Sequence, residues 1–252
     1  MFTTAARERL LVDLVARARA EPSVTAAALV GSAARDETDR WSDIDLALRL
    51  EPGSDPSVAA DAWTTQLGEL AEVADHLDVW AGPVLYRVFL LRDSLQVDLS
   101  FAPAGRFAST GEPFALLFGS ADPAPPIVGP DPGQLIGWAW LYALHTRSAL
   151  ARGRSWQALQ MLDGLRAQLV SLACLRHGLP SHRGRGVDQL PASVLAGLAP
   201  TLAARPDHAV LAEAFAAATA LLLAEAAHLD RPLAARLEAP LAALHESPGV
   251  VA

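Results

Sequence analysis

The chain has 252 residues, 20 basic and 28 acidic, giving a formal net charge of −8, with 52% hydrophobic and 19% charged residues. That apolar fraction excludes a disordered or collagen-like chain, and the length suits one large domain or two modest ones. The single cysteine, Cys174, excludes an intramolecular disulfide and a multi-Cys zinc site, and a reduced cytoplasmic setting is expected.

The charges are unevenly placed. Residues 1–125 carry 10 Arg against 19 Asp and Glu, whereas residues 126–252 carry 10 Arg against 9. An acidic first half argues against nucleic acid as a partner, because phosphate neutralisation needs a basic face. It suits divalent cations and cationic small molecules. Every basic residue is Arg, so a phosphate clamp must use Arg forks or backbone N–H groups. Arg7, Glu8 and Arg9 interrupt the N-terminus, so no secretory leader is expected. The most apolar stretch, residues 214–227, holds Thr219 and Glu225 and reads as too short and broken to span a bilayer.

In chain order, residues 4–20 place Leu10, Leu11, Leu14, Val15 and Ala18 at helical spacing. Residues 24–30 are β-branched and apolar and read as a strand ending at Gly31-Ser32. Residues 44–50 form a second strand, with Ile44, Leu46, Leu48 and Leu50 on one face and Asp45, Ala47 and Arg49 on the other. A helix follows at 58–74, then strands at 76–80, 84–91 and 95–101. Residues 102–134 are rich in Pro and Gly and hold the expected domain boundary, giving domains 1–125 and 126–252. Helices are expected at about 134–151, 155–177, 191–203, 207–228 and 231–245. The fold class is therefore a mixed α/β domain followed by an all-α helical bundle. Trp138, Trp140 and Trp156 read as core or interface residues, and Cys174 as a buried small hydrophobe. Asp75, Asp78 and Glu112 are candidates for an acidic cleft, and Arg183 and Arg185 for an anion-binding loop.

The segment that carries chemistry is ALVGSAARDETDRWSDIDLALRL. Gly31-Ser32 stands at a strand end, and after a spacer of ten residues Asp43-Ile44-Asp45 opens the next strand. Alternation puts Asp43 and Asp45 on one face, where two carboxylates attract a hard divalent cation such as Mg²⁺. Gly31 permits a tight turn and close approach of a phosphate. Residues 32–35 can then start a short helix whose N–H groups, with the Ser32 hydroxyl, meet a triphosphate. Arg35 is a candidate phosphate contact. Asp98 alternates onto the polar face of its strand with Gln96 and Ser100. If that strand adjoins the Asp43/Asp45 strand, three carboxylates converge, and three carboxylates holding two metals suit in-line phosphoryl or nucleotidyl transfer.

These motifs resemble those of the DNA polymerase beta-type nucleotidyltransferase superfamily. WSDIDL followed by a helical domain is most similar to the aminoglycoside nucleotidyltransferases, including the streptomycin adenylyltransferases. The resemblance implies metal-binding Asp43 and Asp45, with Asp98 as third ligand, general base or both. It implies that Gly31-Ser32 binds the triphosphate of an NTP, with ATP the expected nucleotide. The expected function is Mg²⁺-dependent transfer of AMP to a hydroxyl of a small molecule of aminoglycoside type, with release of pyrophosphate. Two rivals are an acceptor on a protein side chain or another metabolite, and a non-catalytic nucleotide-binding module.

Overall fold

The structure, a computed structural model, describes residues 1–111, 113–126 and 129–245. The chain divides into two units, Met1–Val128 and Gly129–Ala252.

The first unit opens with α1 (Thr4–Ala20), capped by the Thr3 hydroxyl, which accepts from the Ala6 N–H. Then come β1 (Val24–Val30), β2 (Ile44–Leu50), α2 (Pro56–Leu70), β3 (Val73–Ala81), β4 (Val84–Leu91), β5 (Gln96–Ala102) and β6 (Phe114–Phe118). The six strands form one sheet in the order β3-β4-β5-β2-β1-β6. β2 and β5 run parallel, and the other pairs are antiparallel. One face of the sheet presents Leu46, Leu48, Leu99, Phe101 and Phe89, which pack with Leu14, Trp63 and Leu67 of α1 and α2 in one core. Burial there drives the fold, at about 1.5–3 kcal/mol for each large side chain fully withdrawn from water. The other face carries small residues, Ala26, Ala28, Ala47 and Ala102, packed with the buried ring of Phe107 and the partly buried Phe114.

Two elements differ from expectation. The second helix ends at Leu70 rather than 74, because residues 73–75 are drawn into β3 by pairing with β4. Strand β6 lies inside the Pro/Gly-rich stretch read as a connector, and it pairs with β1 through Ala28↔Leu116 and Val30↔Phe114.

The second unit is helical: α3 (Pro132–Ala151), α4 (Ser155–Arg176), α5 (Ala192–Leu198), α6 (His208–Leu229) and α7 (Arg231–Ala242). Leu162, Leu165, Leu169, Phe215, Ala218 and Leu222 build its core. Gly164 lets α4 lie against the Tyr142 ring of α3, since a Cβ there would stand 2.6 Å from the ring edge. Helix α6 is long and apolar enough to cross a membrane by length and composition, unlike the shorter stretch weighed in the sequence. Its Leu211, Phe215, Ala218 and Leu222 are instead core residues of this unit. Buried Glu225 pairs with Arg176 at 2.9 Å. Cys174 is buried as expected, and burial pushes its thiol pKa up. The tryptophans depart from the core reading: Trp138 is 49%, Trp140 38% and Trp156 74% exposed.

Arg87 on β4 joins the sheet to α2. Its buried guanidinium donates to both Asp78 oxygens at 2.6 and 2.7 Å, to Asp61 at 2.8 Å and to the Thr64 hydroxyl at 2.9 Å. The Arg87 bond holds the Asp78 carboxyl below its usual pKa. Stability from this pair is complete above the unfolded value, about 3.9, and is withdrawn as pH falls through the lower folded one. Asp78→Asn is expected to lower unfolding free energy by about 1–3 kcal/mol at pH 7, because charge-assisted bonds to a buried Arg are lost. Urea titrations at pH 7 and pH 3 check this: the difference between wild type and variant should shrink at the lower pH.

Candidate active site

Asp45 and Asp98 meet because β2 and β5 are parallel and in register, with Ile44↔Val97, Asp45↔Asp98 and Ala47↔Ser100. Both side chains leave the face opposite α1 and α2. Asp43, just before β2, joins them. One oxygen from each of Asp43, Asp45 and Asp98 lies within 4.8 Å of the others, and all three residues are half-buried. Among the described residues no other set of three His, Cys, Asp or Glu converges in this way. Gln96 links the group, its amide donating to Asp43 Oδ2 at 3.3 Å and Asp98 Oδ1 at 3.0 Å. Sequence reasoning placed Gln96 on the Asp98 face but gave it no part; the alternation of β5 was the available signal.

Gly31 closes β1 in the left-handed region at φ +64°. A Cβ there would stand 2.5 Å from Asp45 Oδ2. The turn's backbone and the carboxylate are thus in direct apposition, which only glycine permits. Ser32 precedes a 3₁₀ turn, Ala33–Arg35, as expected from the sequence. The Ser32 carbonyl accepts from the Arg35 and Glu37 N–H groups, both at 3.1 Å. The Arg35 guanidinium pairs with Glu37 and is half-exposed.

The link from this turn to Asp43 is held by a residue the sequence reading overlooked. Arg7, only 3% exposed, donates from one guanidinium nitrogen to the Asp39 and Ser42 carbonyls, the latter at 3.2 Å. The signal was present, for Arg7 stands three residues before Leu10 on the buried stripe of α1. Asp39 folds the same link locally: its carboxylate accepts from the Trp41 N–H at 2.8 Å and the Ser42 hydroxyl at 3.0 Å. These bonds hold its pKa below the usual value.

Other candidates fall elsewhere. Asp78 serves Arg87, and Asp75 accepts from the His76 N–H at 2.9 Å. Glu112 lies outside the described residues, as does the Arg183 side chain. Arg185 belongs to a loop in which its carbonyl accepts from Gln189.

Residues 12–87 match the nucleotidyltransferase domain family. The matched segment runs from within α1 to β4, so it contains Gly31, Ser32, Asp43 and Asp45 and stops short of Asp98. The chain is also similar to the solved aminoglycoside 6-adenyltransferase from Bacillus subtilis, at 11% identity and a TM-score of 0.44, over 96% of this chain and 98% of that one. A comparison with curated proteins finds no match.

Two outcomes are expected of the turn and its support. Gly31→Ala should cost about 1–2 kcal/mol from the left-handed backbone alone and push Asp45 aside. Mn²⁺ affinity, followed by electron paramagnetic resonance, should fall at least ~10-fold, as expected when a carboxylate ligand is displaced; unchanged affinity would show that Asp45 is not held by this apposition. Arg7→Met should keep the apolar stripe and free residues 36–42. Hydrogen exchange there should quicken while exchange in β2 and β5 stays slow.

Proposed function

We propose that this chain is a cytoplasmic, Mg²⁺-dependent nucleotidyltransferase that moves AMP from ATP to a hydroxyl of a small molecule, with pyrophosphate leaving. In this reading the two units are its domains, the first catalytic. The observation that carries it is the convergence of Asp43, Asp45 and Asp98 beside the Gly31 turn.

The donor set fits a hard divalent cation, being three carboxylates with no thiol or imidazole among them. Such an ion, held by Asp43, Asp45 and Asp98, would offset the charge of the phosphates and lower the pKa of the attacking hydroxyl. The chain's own groups do the rest. Gly31 leaves the backbone bare where a triphosphate must approach. The Ser32 hydroxyl is a further donor to it, and Arg35 can turn from the exposed Glu37 to a phosphate oxygen. Asp98 is placed to accept the acceptor's proton. The domain then works mainly by positioning and charge neutralisation.

By composition alone, the acidity of residues 1–125 suits a cationic acceptor of aminoglycoside type, which would make the reaction one of antibiotic resistance; the lining of the cavity described below bears on that choice.

Asp43→Asn and Asp45→Asn should each lower turnover by at least ~100-fold with little loss of stability, because the lost charge acts where phosphate charge develops. Asp98→Asn should abolish transfer yet leave Mg²⁺–ATP affinity within a few-fold. Pyrophosphate release with ATP and a panel of hydroxylated compounds, alongside calorimetry of nucleotide binding, checks all three. Near-normal turnover in any of them would exclude this mechanism.

A further inference from the structure

The open face of the sheet continues past the carboxylates into a cavity of about 390 Å³. Its floor includes Ala47 and Ser100, each two residues beyond Asp45 and Asp98 on its own strand. Strand geometry sets that floor roughly 6–7 Å from the carboxylates. Tyr86, the register partner of Ser100, stands on one side, and the paired Val30 and Phe114 on the other. Phe107 forms a wall and is 1% exposed.

This wall is built in. The Asp122 carboxylate accepts from the Gly105 and Phe107 N–H groups, both at 2.9 Å, and pairs with Arg49 of β2 at 3.1 Å. Burial alone would raise its pKa, but the Phe107 N–H, Arg49 and the Gly105 N–H together hold it below the usual value. The loop bearing Phe107 is thus tied to the strand that bears Asp45.

Position along the strands assigns the cavity a part. Leu29 is level with Leu46, so Gly31, two residues on, comes level with Ile44. The order along the sheet is then the Gly31 turn, the Asp45–Asp98 pair, and the Ala47–Ser100 floor. In-line displacement puts the attacking oxygen opposite the leaving group. With pyrophosphate leaving at the Gly31 end, the attacking oxygen arrives from the cavity end.

The lining decides the class of compound. Tyr86, Ser100, Ser109 and Thr110 bring hydroxyls to walls that are otherwise mostly carbon. Arg106 is the one charged side chain among the described lining residues, and none of them is a carboxylate. A polycation would give up its hydration there and meet a like charge. An uncharged body buries apolar surface and finds hydroxyl partners.

We infer that this cavity is the acceptor subsite and takes the uncharged, largely apolar body of a hydroxyl compound rather than a polycation. The inference rests on the nucleotidyl transfer proposed above. The acceptor's hydroxyl oxygen bonds to the α-phosphorus, and the bond from that phosphorus to the bridging oxygen of the β-phosphate breaks. Pyrophosphate leaves with the electron pair, and the hydroxyl proton passes to the Asp98 carboxylate.

The test uses the full chain with two sets of probes: uncharged aryl and alkyl glycosides, phenyl β-D-glucoside first, and polyamino glycosides, neamine first. Saturation-transfer NMR without nucleotide reads binding, and pyrophosphate release with Mg²⁺–ATP reads transfer. The uncharged set should show both. Ala108→Trp, which fills the cavity from its half-buried loop, should weaken both at least fivefold while ATP binding by calorimetry holds. Arg106→Glu, at an exposed lining position, removes the like charge and should move neamine binding upward, and it reads the same pocket should the first variant fold poorly. Turnover of the polyamino set alone, unaffected by either variant, would overturn the assignment and leave nucleotidyl transfer standing. Failure to bind Mg²⁺–ATP, with aryl glycosides still seated and sensitive to Ala108→Trp, would overturn the transfer reading while upholding the uncharged-ligand assignment.

Discussion

The parallel pairing of β2 with β5, in the middle of an otherwise antiparallel sheet, is the constraint on which the site depends. Parallel neighbours in register present their side chains level with one another and on the same face. Here that brings Asp45 to Asp98, and the same register repeats two residues on with Ala47 and Ser100. A slip by one residue would turn Asp98 toward α1 and α2 and bring Leu99 to the open face. The apolar core opposes that slip, because Val97, Leu99 and Phe101 are all fully buried on the helix side. Carboxylate geometry and core packing are therefore fixed by one register.

The local parts of this arrangement were legible in the residues. The limits of α1, β1, β2 and β4 follow from periodicity and punctuation, and the alternation of Asp45 and Ala47 with leucines assigns the faces of β2. The ladder between β2 and β5 was only a condition, since adjacency of strands separated by α2 and a hairpin is a non-local fact. What escaped the sequence was non-local too. β3 was expected at 76–80, but it is exposed along almost its whole length, and its full extent, Val73–Ala81, is set by pairing with β4. β6 is five apolar residues among prolines and glycines, and β1 makes it a strand.

At the site the same division holds. Gly31, Ser32 and the three aspartates could be picked out by type and spacing, but the apposition of Gly31 with Asp45 is a property of the closed turn. Arg7 was hidden by its chemistry, since a basic residue on an amphipathic helix is ordinarily solvated. Its burial becomes intelligible once the link between the turn and Asp43 is seen to expose carbonyls that need donors. Arg35, free to be imagined on a phosphate, has an acidic neighbour two residues away that the fold brings within reach.

The acidity of the first unit takes on a different meaning in three dimensions. Asp61 and Asp78 surround Arg87, Asp122 serves Arg49 and two backbone N–H groups, Glu69 pairs with Arg17, and Asp39 and Asp55 cap local turns. Much of the negative charge is thus committed to structure, and the part that gathers on the open face does so at Asp43, Asp45 and Asp98. Beyond that point the strands present alanine and serine where the opposite face presents leucine and phenylalanine. Small side chains on the open face leave a cavity beside the carboxylates, and large ones on the helix face pack against α1 and α2. One alternating pattern therefore separates a packed face that sets the register from an open face with room for a substrate beside the carboxylates.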